Sequence, residues 1–365
     1  MQWSSPQYRL DSPGALESLA NLRSIGANSL ELVVQWYFGN INDTSAYAIT
    51  DSTNPMRTST DAELEVFIAA ARAMGMRVVL SPMLDPDWTD PRQFGCRAAT
   101  RTARQLEAVR GPVPPGCYWR GDIGHYWRSA DDICTTGPWA AWHDSYSAFI
   151  LHYAALAARA GADGFLVAHE LENPIRHCAR RWQILLNHTR NVFTGSVSVA
   201  VLPDSFDVPN ATIAWLSRLD WVGVDCYIGG AAPAPAMPWE DATLDELIEG
   251  VTTNARPVAA FAARVGRQVA CTEVGWITSP WASETGWGTL LDPASQDVAM
   301  LDVNGASQAL AYAAFVRVFE AAEWYAGTFF WLWRADPTAG GPSDASPVVW
   351  GKPAAVTLIS LWQGA

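Results

Sequence analysis

Long apolar runs are absent from this 365-residue chain: no stretch approaches the roughly 18 residues that a membrane-spanning helix needs. Positive charge is scarce as well. With 24 Lys and Arg against 37 Asp and Glu, the net charge is −13, and no basic cluster offers a surface to nucleic acid or another polyanion. The six histidines (His125, His143, His152, His169, His177 and His188) show no ligand spacing, and the cysteines contain no Cys-x-x-Cys pair. Neither a metal site nor a cofactor is therefore expected. A Gly-x-Ser-x-Gly elbow, a phosphate loop and a Gly-rich dinucleotide turn are missing too, which removes the common routes to acyl transfer, phosphoryl transfer and hydride transfer. No charged-then-apolar leader precedes Met1-Gln2-Trp3, and a trimmed start is expected.

What the chain does carry is apolar content, 49% of residues against 17% charged, enough for one large domain or two modest ones with ample core. One unit recurs: an amphipathic helix, a Gly, then a short apolar run. It appears around Gly26, Gly75, Gly161 and Gly266. Gly at a helix C-terminus supplies the left-handed turn into a strand. Leu16, Leu19, Leu22 and Ile25 line one face of the first helix, and Thr60 with Glu63 forms a capping box ahead of Leu64, Phe67, Ile68 and Ala71. Helix then strand, repeated, means a parallel sheet.

The apolar runs place strands near residues 29–35, 77–82, 164–168, 196–201, 221–225, 268–272 and 327–332. With a short or truncated first strand at residues 1–4 they make eight, and a last helix over 353–361 closes an α/β (β/α)8 TIM barrel. An open doubly wound sheet is the alternative, and it lacks both its dinucleotide turn and its usual length here. Residues 1–365 are expected to form a single catalytic domain. Three long insertions, 83–141, 227–242 and 276–304, all follow strands and so belong to the C-terminal face, where they would wall a cleft.

Cys96, Cys117, Cys134 and Cys178 fall in loops, whereas Cys226 and Cys271 fall in strand runs. Two loop disulfides are expected, Cys96 with Cys117 and Cys134 with Cys178 being one of three connectivities. Together with sequons at Asn42, Asn187 and Asn210 they point to a secreted, extracellular protein. The 19 Trp residues exceed what core packing requires, and many lie in segments rich in Pro, Gly and Asp, where flat rings suit sugar faces.

Two carboxylates stand out. Glu170 and Glu273 each end a short apolar run, Gly-Phe-Leu-Val-Ala-His-Glu and Gln-Val-Ala-Cys-Thr-Glu, on the fourth and seventh strands of the barrel count. A desolvated carboxylate is unfavourable unless a partner or a function compensates, and strand C-termini are where such barrels carry chemistry. A retaining glycosidase needs such a pair roughly 5–5.5 Å apart, with surroundings that separate their acidities. A buried structural ion pair is the bland reading of either one alone.

Four segments carry a resemblance: Thr272-Glu273-Val-Gly-Trp, Glu170-Leu after Gly-Ala-Asp-Gly-Phe-Leu-Val, Trp119-Arg120-Gly121-Asp-Ile, and Gly223-Val-Asp225-Cys-Tyr227. Over residues 16–333 the chain resembles the family 113 glycoside hydrolases, β-1,4-mannanases within the clan of retaining (β/α)8 glycosidases. The resemblance implies Glu170 as acid/base and Glu273 as nucleophile. It also implies that the Tyr227 hydroxyl steadies the nucleophile. One departure stands at His169, where the clan often has an Asn that bonds the sugar 2-hydroxyl; an imidazole can make a similar bond and can also titrate. Arg120 is a second tuner, with Asp122 next to it as an alternative partner. Substrate contacts are expected from Trp36, Tyr37, Asp85, Trp88, Trp119, Trp331 and Trp333, all pointing at the barrel mouth. The expected activity is hydrolysis of a β-1,4-linked polysaccharide or oligosaccharide, mannan or glucomannan first, by a monomer. The alternatives are a β-glucanase or another clan activity, and a carbohydrate-binding barrel without catalysis.

Overall fold

The computed structural model describes residues 8–89, 119–127, 134–227, 242–278 and 303–363. The strand expected at residues 1–4, the greater part of the three insertions, and Cys96 with Cys117 lie outside the described residues. Among the described residues, seven parallel strands form one sheet in sequential order: β1 (Ser29–Phe38), β2 (Arg77–Pro86), β3 (Gly164–His169), β4 (Ser196–Val201), β5 (Val222–Asp225), β6 (Val269–Val274) and β7 (Tyr325–Phe330). The helices are α1 (Pro13–Ser24), α2 (Asp61–Ala73), α3 (Gly137–Ala160), α4 (Glu172–Arg176), α5 (Ala179–Val192), α6 (Asn210–Leu216), α7 (Leu244–Val265), α8 (Gly305–Phe319) and α9 (Pro353–Gln363).

The sheet curls on itself. Phe329 of β7 shares an apolar cluster with Val79 of β2, Leu166 of β3 and Ala200 of β4, and Trp331 just beyond β7 packs with Val33 of β1 and Met83 of β2. In a flat sheet β7 would lie about 24 Å from β2. The curvature is that of a (β/α)8 TIM barrel, the fold expected from the repeated helix–Gly–strand unit.

Local signals set the element ends. Ser12 caps α1 through the Ala15 N–H, and Thr60 and Glu63 complete the capping box of α2. A second box, Thr243 with Glu246, starts α7, while α3 and α7 end at left-handed Gly161 (φ 74°) and Gly266 (φ 69°). Alternation along β1 sends Leu30, Leu32, Val34 and Phe38 outward into the main core and Glu31, Val33, Gln35 and Tyr37 inward. β1 and β2 each run ten residues, past the ends expected at 35 and 82. The inward polar side chains beyond the apolar run satisfy one another, Gln35 donating to Asp85, so pairing continues to Phe38 opposite Pro86. β7 begins and ends two residues earlier than expected, at Tyr325 and Phe330.

Many of the tryptophans pack the core rather than a cleft, contrary to the reading of their number. Trp139, Trp182, Trp215 and Trp276 are among the largest fully buried side chains. Trp142 of α3 stacks on Tyr146 at 4.7 Å, and Trp182 of α5 on Trp215 of α6 at 5.5 Å. Flat rings interleave well between helices, and composition alone does not tell that use from sugar stacking. The expected Cys134–Cys178 disulfide is present, tying the segment before α3 to the start of α5. A second disulfide, Cys226–Cys271, joins the residue after β5 to β6, which the strand positions of these residues did not announce.

β5 fits between β4 and β6 because residue 223 has no side chain: a Cβ there would sit 2.3 Å from Val199 O and 2.5 Å from Thr272 Cγ2. Gly223→Ala is expected to destabilise by about 3 kcal/mol or more through overpacking. At Gly75, whose Cβ would meet nothing within 4 Å, the left-handed backbone alone would cost Ala about 1–2 kcal/mol. Equal losses of the two variants in thermal melts would refute a steric limit on the spacing of β5.

Candidate active site

On β2 and β3 the interior side chains change from apolar to polar within a few residues. Above Val79, Leu166 and Ala200 the next inward positions hold Ser81 on β2 and His169 on β3. Glu31 of β1 and Asp225 of β5 complete this layer, and all four are at most 1% exposed. The layer above holds Gln35, Tyr37, Asp85, Glu170, Tyr227 and Glu273.

Glu273 on β6 is suspended at both carboxylate oxygens. Oε1 lies 2.9 Å from His169 Nε2, and Oε2 accepts the Tyr227 hydroxyl at 2.7 Å. The Cys226–Cys271 bond, with the Cys226 N–H donating to Glu273 O at 2.6 Å, fastens β5 to β6 beside this contact. Burial and then the charge of Glu273 hold the Tyr227 hydroxyl well above its usual range, so it stays a donor. Burial works against charge on His169, but its hydrogen bond to Glu273 and the charges of Glu273 and Glu31 outweigh that and raise its pKa. Beneath the ring, His169 Nδ1 is 2.9 Å from Ser81 Oγ and 3.6 Å from Glu31 Oε1. Burial pushes Glu31 up to about 7 against the pull of His169. Asp225 Oδ2 lies 3.5 Å from His169 Nε2, and burial followed by the charge of Glu273 pushes Asp225 well above the carboxylate range.

Glu170 has different company. It follows β3 in the left-handed region, φ 48°, with its N–H on Ala200 O at 3.0 Å. A non-glycine residue there costs on the order of 1–3 kcal/mol, a strain found mostly at functional sites. The Trp119 indole N–H donates to Glu170 Oε2 at 3.1 Å, and Arg120 Nη2 lies 3.3 Å from the same oxygen. Arg120 sits 3.8 Å from the Trp119 ring centroid and pairs with Asp85 at 2.6 Å. Burial disfavours its charge, but Asp85 and Glu170 outweigh burial and raise its pKa. The Asp122 carboxylate accepts the Trp119 backbone N–H at 3.0 Å. Gly121 lets this turn press on the start of α4: a Cβ would fall 2.0 Å from Glu172 Oε2.

Among the described residues one group has metal-ligand types close together, His169, Asp225 and Glu273, with ligand atoms within 4.8 Å. The His169 nitrogen facing that group is already hydrogen-bonded to Glu273.

The structure brings together His169, Glu170, Tyr227, Glu273, Arg120, Asp85 and Trp119. Tyr37 is buried and pairs with Asp85 in the β1–β2 register, so it borders this group; burial, and then the charge of Asp85, push its hydroxyl up. Trp331 meets Val33 and Met83 at the mouth, and Trp88 is half-buried two residues past β2. Trp36 and Trp333 are placed elsewhere. Trp36 donates to Tyr153 Oη at 3.0 Å and packs 4.8 Å from Phe149, on the helix side of β1. Neighbours on a strand face opposite ways, so Trp36 and Tyr37 cannot both point inward. Trp333 donates to Ser18 Oγ of α1 at 2.9 Å and lies against Trp350. β7 stops at Phe330, and the period of two does not carry on to Trp333. Glu31, Ser81 and Gln35 escaped the sequence reading. Parity counted from Tyr37 back to Gln35, Val33 and Glu31 was the available signal.

The model of Glycoside Hydrolase Family 113 matches residues 115–347. Among solved structures, the chain is similar to the family 113 β-mannanase of Alicyclobacillus acidocaldarius in complex with ManMIm. That likeness has 19% identity and a TM-score of 0.72, covering 98% of this chain and 93% of the other. A family 113 β-1,4-mannanase structure aligns over 100% of this chain and 98% of its own, at 16% identity and a TM-score of 0.74. A β-glucuronidase of Ruminococcus gnavus is more distant, with 11% identity and a TM-score of 0.52 over 96% of this chain and 46% of that one. No curated protein matches by sequence. The matched segment contains both strand-end glutamates and the turn that addresses Glu170, and the chain belongs to Glycoside Hydrolase Family 113.

Proposed function

We propose that this glycoside hydrolase is a retaining endo-β-1,4-mannanase in which Glu273 is the nucleophile and Glu170 the acid/base. The observation that carries this reading is the unlike treatment of the two carboxylates. Glu273 is met at both oxygens by Tyr227 and His169, which suits an ionised group. Glu170 is addressed at Oε2 by Trp119 and Arg120, a hold that orients it. In the first step Glu273 attacks the anomeric carbon while Glu170 passes its proton to the departing glycosidic oxygen, leaving a glycosyl ester on Glu273. In the second, Glu170 takes a proton from water, whose oxygen replaces Glu273 at the anomeric carbon.

Mannan is the favoured polymer because the family 113 neighbours are β-mannanases. Trp119, Trp331 and Trp88 are the candidate platforms for sugar rings, with Tyr37, Asp85 and Gln35 as polar contacts below them. The chain is proposed to work as a monomer, residues 1–365 forming one catalytic domain. An extracellular setting is supported by the disulfides Cys134–Cys178 and Cys226–Cys271. Among the described residues no helix is long and apolar enough to cross a membrane.

Reducing-sugar release from β-mannan, glucomannan, cellulose and xylan is expected to be selective for the mannans and abolished in Glu273→Gln. Release from another polymer would replace the substrate and keep the mechanism; saturable binding without release would favour a binding barrel. Glu170→Gln is expected to slow polysaccharide hydrolysis far more than cleavage of an aryl glycoside with a good leaving group, and equal losses would remove Glu170 from the acid/base role.

Tyr227→Phe deletes a hydrogen bond to a charged group worth about 1.5–3 kcal/mol. Roughly a tenfold to hundredfold fall in kcat is expected. An unchanged kcat would mean that Glu273 does not depend on this donor.

A further inference from the structure

Glu31 has no part in the chemistry just described, yet it is 0% exposed in the barrel interior beneath His169. Neither oxygen makes a well-formed hydrogen bond, Ser81 being a near donor at poor geometry, and Oε1 lies 3.6 Å from His169 Nδ1. Ser81 Oγ lies 2.9 Å from the same nitrogen. On the far side of the ring, Nε2 meets Glu273 Oε1 at 2.9 Å. A buried carboxylate left without hydrogen bonds is costly unless a cation balances it. The imidazole is the nearest group able to become one.

We propose that Glu31 is a positioning residue of the reaction, holding His169 as an imidazolium that directs one N–H at Glu273 and the other at Ser81 and Glu31. The proposal rests on Glu273 being the nucleophile. A doubly protonated ring cannot turn its Nε2 lone pair on Glu273, and it sets a positive charge beside that carboxylate. The other charged or titratable groups facing the ring are Asp225 and Tyr227 from the β5 side, Glu273 on β6, Asp85 on β2, and Glu170 with Arg120 above. Asp225, pushed up by burial, adds no net charge while it keeps its proton.

The sign of the effect follows. Below about pH 7 Glu31 is largely protonated, and Gln mimics that neutral form. Above it, ionised Glu31 favours the charged ring, and Gln cannot. An aryl glycoside with a good leaving group needs no proton from Glu170, so the alkaline limb of its pH profile reports on His169. In Glu31→Gln that limb is expected to move down by at least about one pH unit while the acid limb stays in place, and Glu31→Asp should restore much of the shift.

Stability should run the other way. A carboxylate raised from about 4.5 to about 7 contributes stability that is present below its unfolded value and lost as pH rises through the folded one. Glu31→Gln should therefore match the wild type in melting temperature at pH 5 and gain on it at pH 8. An unmoved alkaline limb, with or without a uniform loss of kcat, would overturn the proposal. If the variant does not fold, the ring nitrogens of His169 followed by 15N NMR in the wild type decide it: a ring neutral at pH 7 overturns the proposal. Activity retained in Glu273→Gln would instead sink the nucleophile assignment, an outcome separable from these.

Discussion

A carboxylate buried inside a curled sheet needs hydrogen bonds at both oxygens, and Glu273, with 5% of its surface exposed, has them. The rest of the mouth follows from this requirement. Tyr227 reaches Oε2 only because β5 and β6 hold a fixed spacing, which Gly223 permits and the Cys226–Cys271 bond secures. His169 reaches Oε1 only because the β3 ladder shifts between Leu166 and His169, turning the ring inward.

The second carboxylate is governed from outside the sheet. Trp119 and Arg120 come from the long segment between β2 and α3, and they meet Glu170 where a left-handed residue lifts it over the rim. Arg120 is tied in turn to Asp85 on β2. Glu273 therefore depends on the sheet itself, whereas Glu170 depends on an inserted turn resting on the sheet. Loop variation is expected to touch Glu170 before Glu273.

The acidic groups below them form a different kind of constraint. Glu31, Asp225 and Glu273 surround one imidazole, an arrangement with more negative than positive charge if every group ionises. Protons have to resolve that imbalance, and burial raises both Glu31 and Asp225 accordingly. The interior of the barrel is thus a packed apolar floor beneath a polar layer whose protonation is coupled to the site above.

The repeating helix–Gly–strand unit, the capping boxes and the two strand-end glutamates were legible in the amino-acid sequence because they rest on short-range rules: periodicity, left-handed glycine and side-chain capping. Orientation was less so. Parity separated Tyr37 from Trp36, but the end of β7 at Phe330, which sends Trp333 to α1, depends on how far the ladder pairs. The partners of Glu273 come from β3 and β5, those of Glu170 from a turn about 50 residues earlier, and the neighbour of His169 from β1. Such contacts join residues far apart in the chain at distances of a few ångströms, and the curvature of the sheet decides those of His169 with Glu273 and Glu31, because in a flat sheet β6 and β1 would lie about 14 and 10 Å from β3.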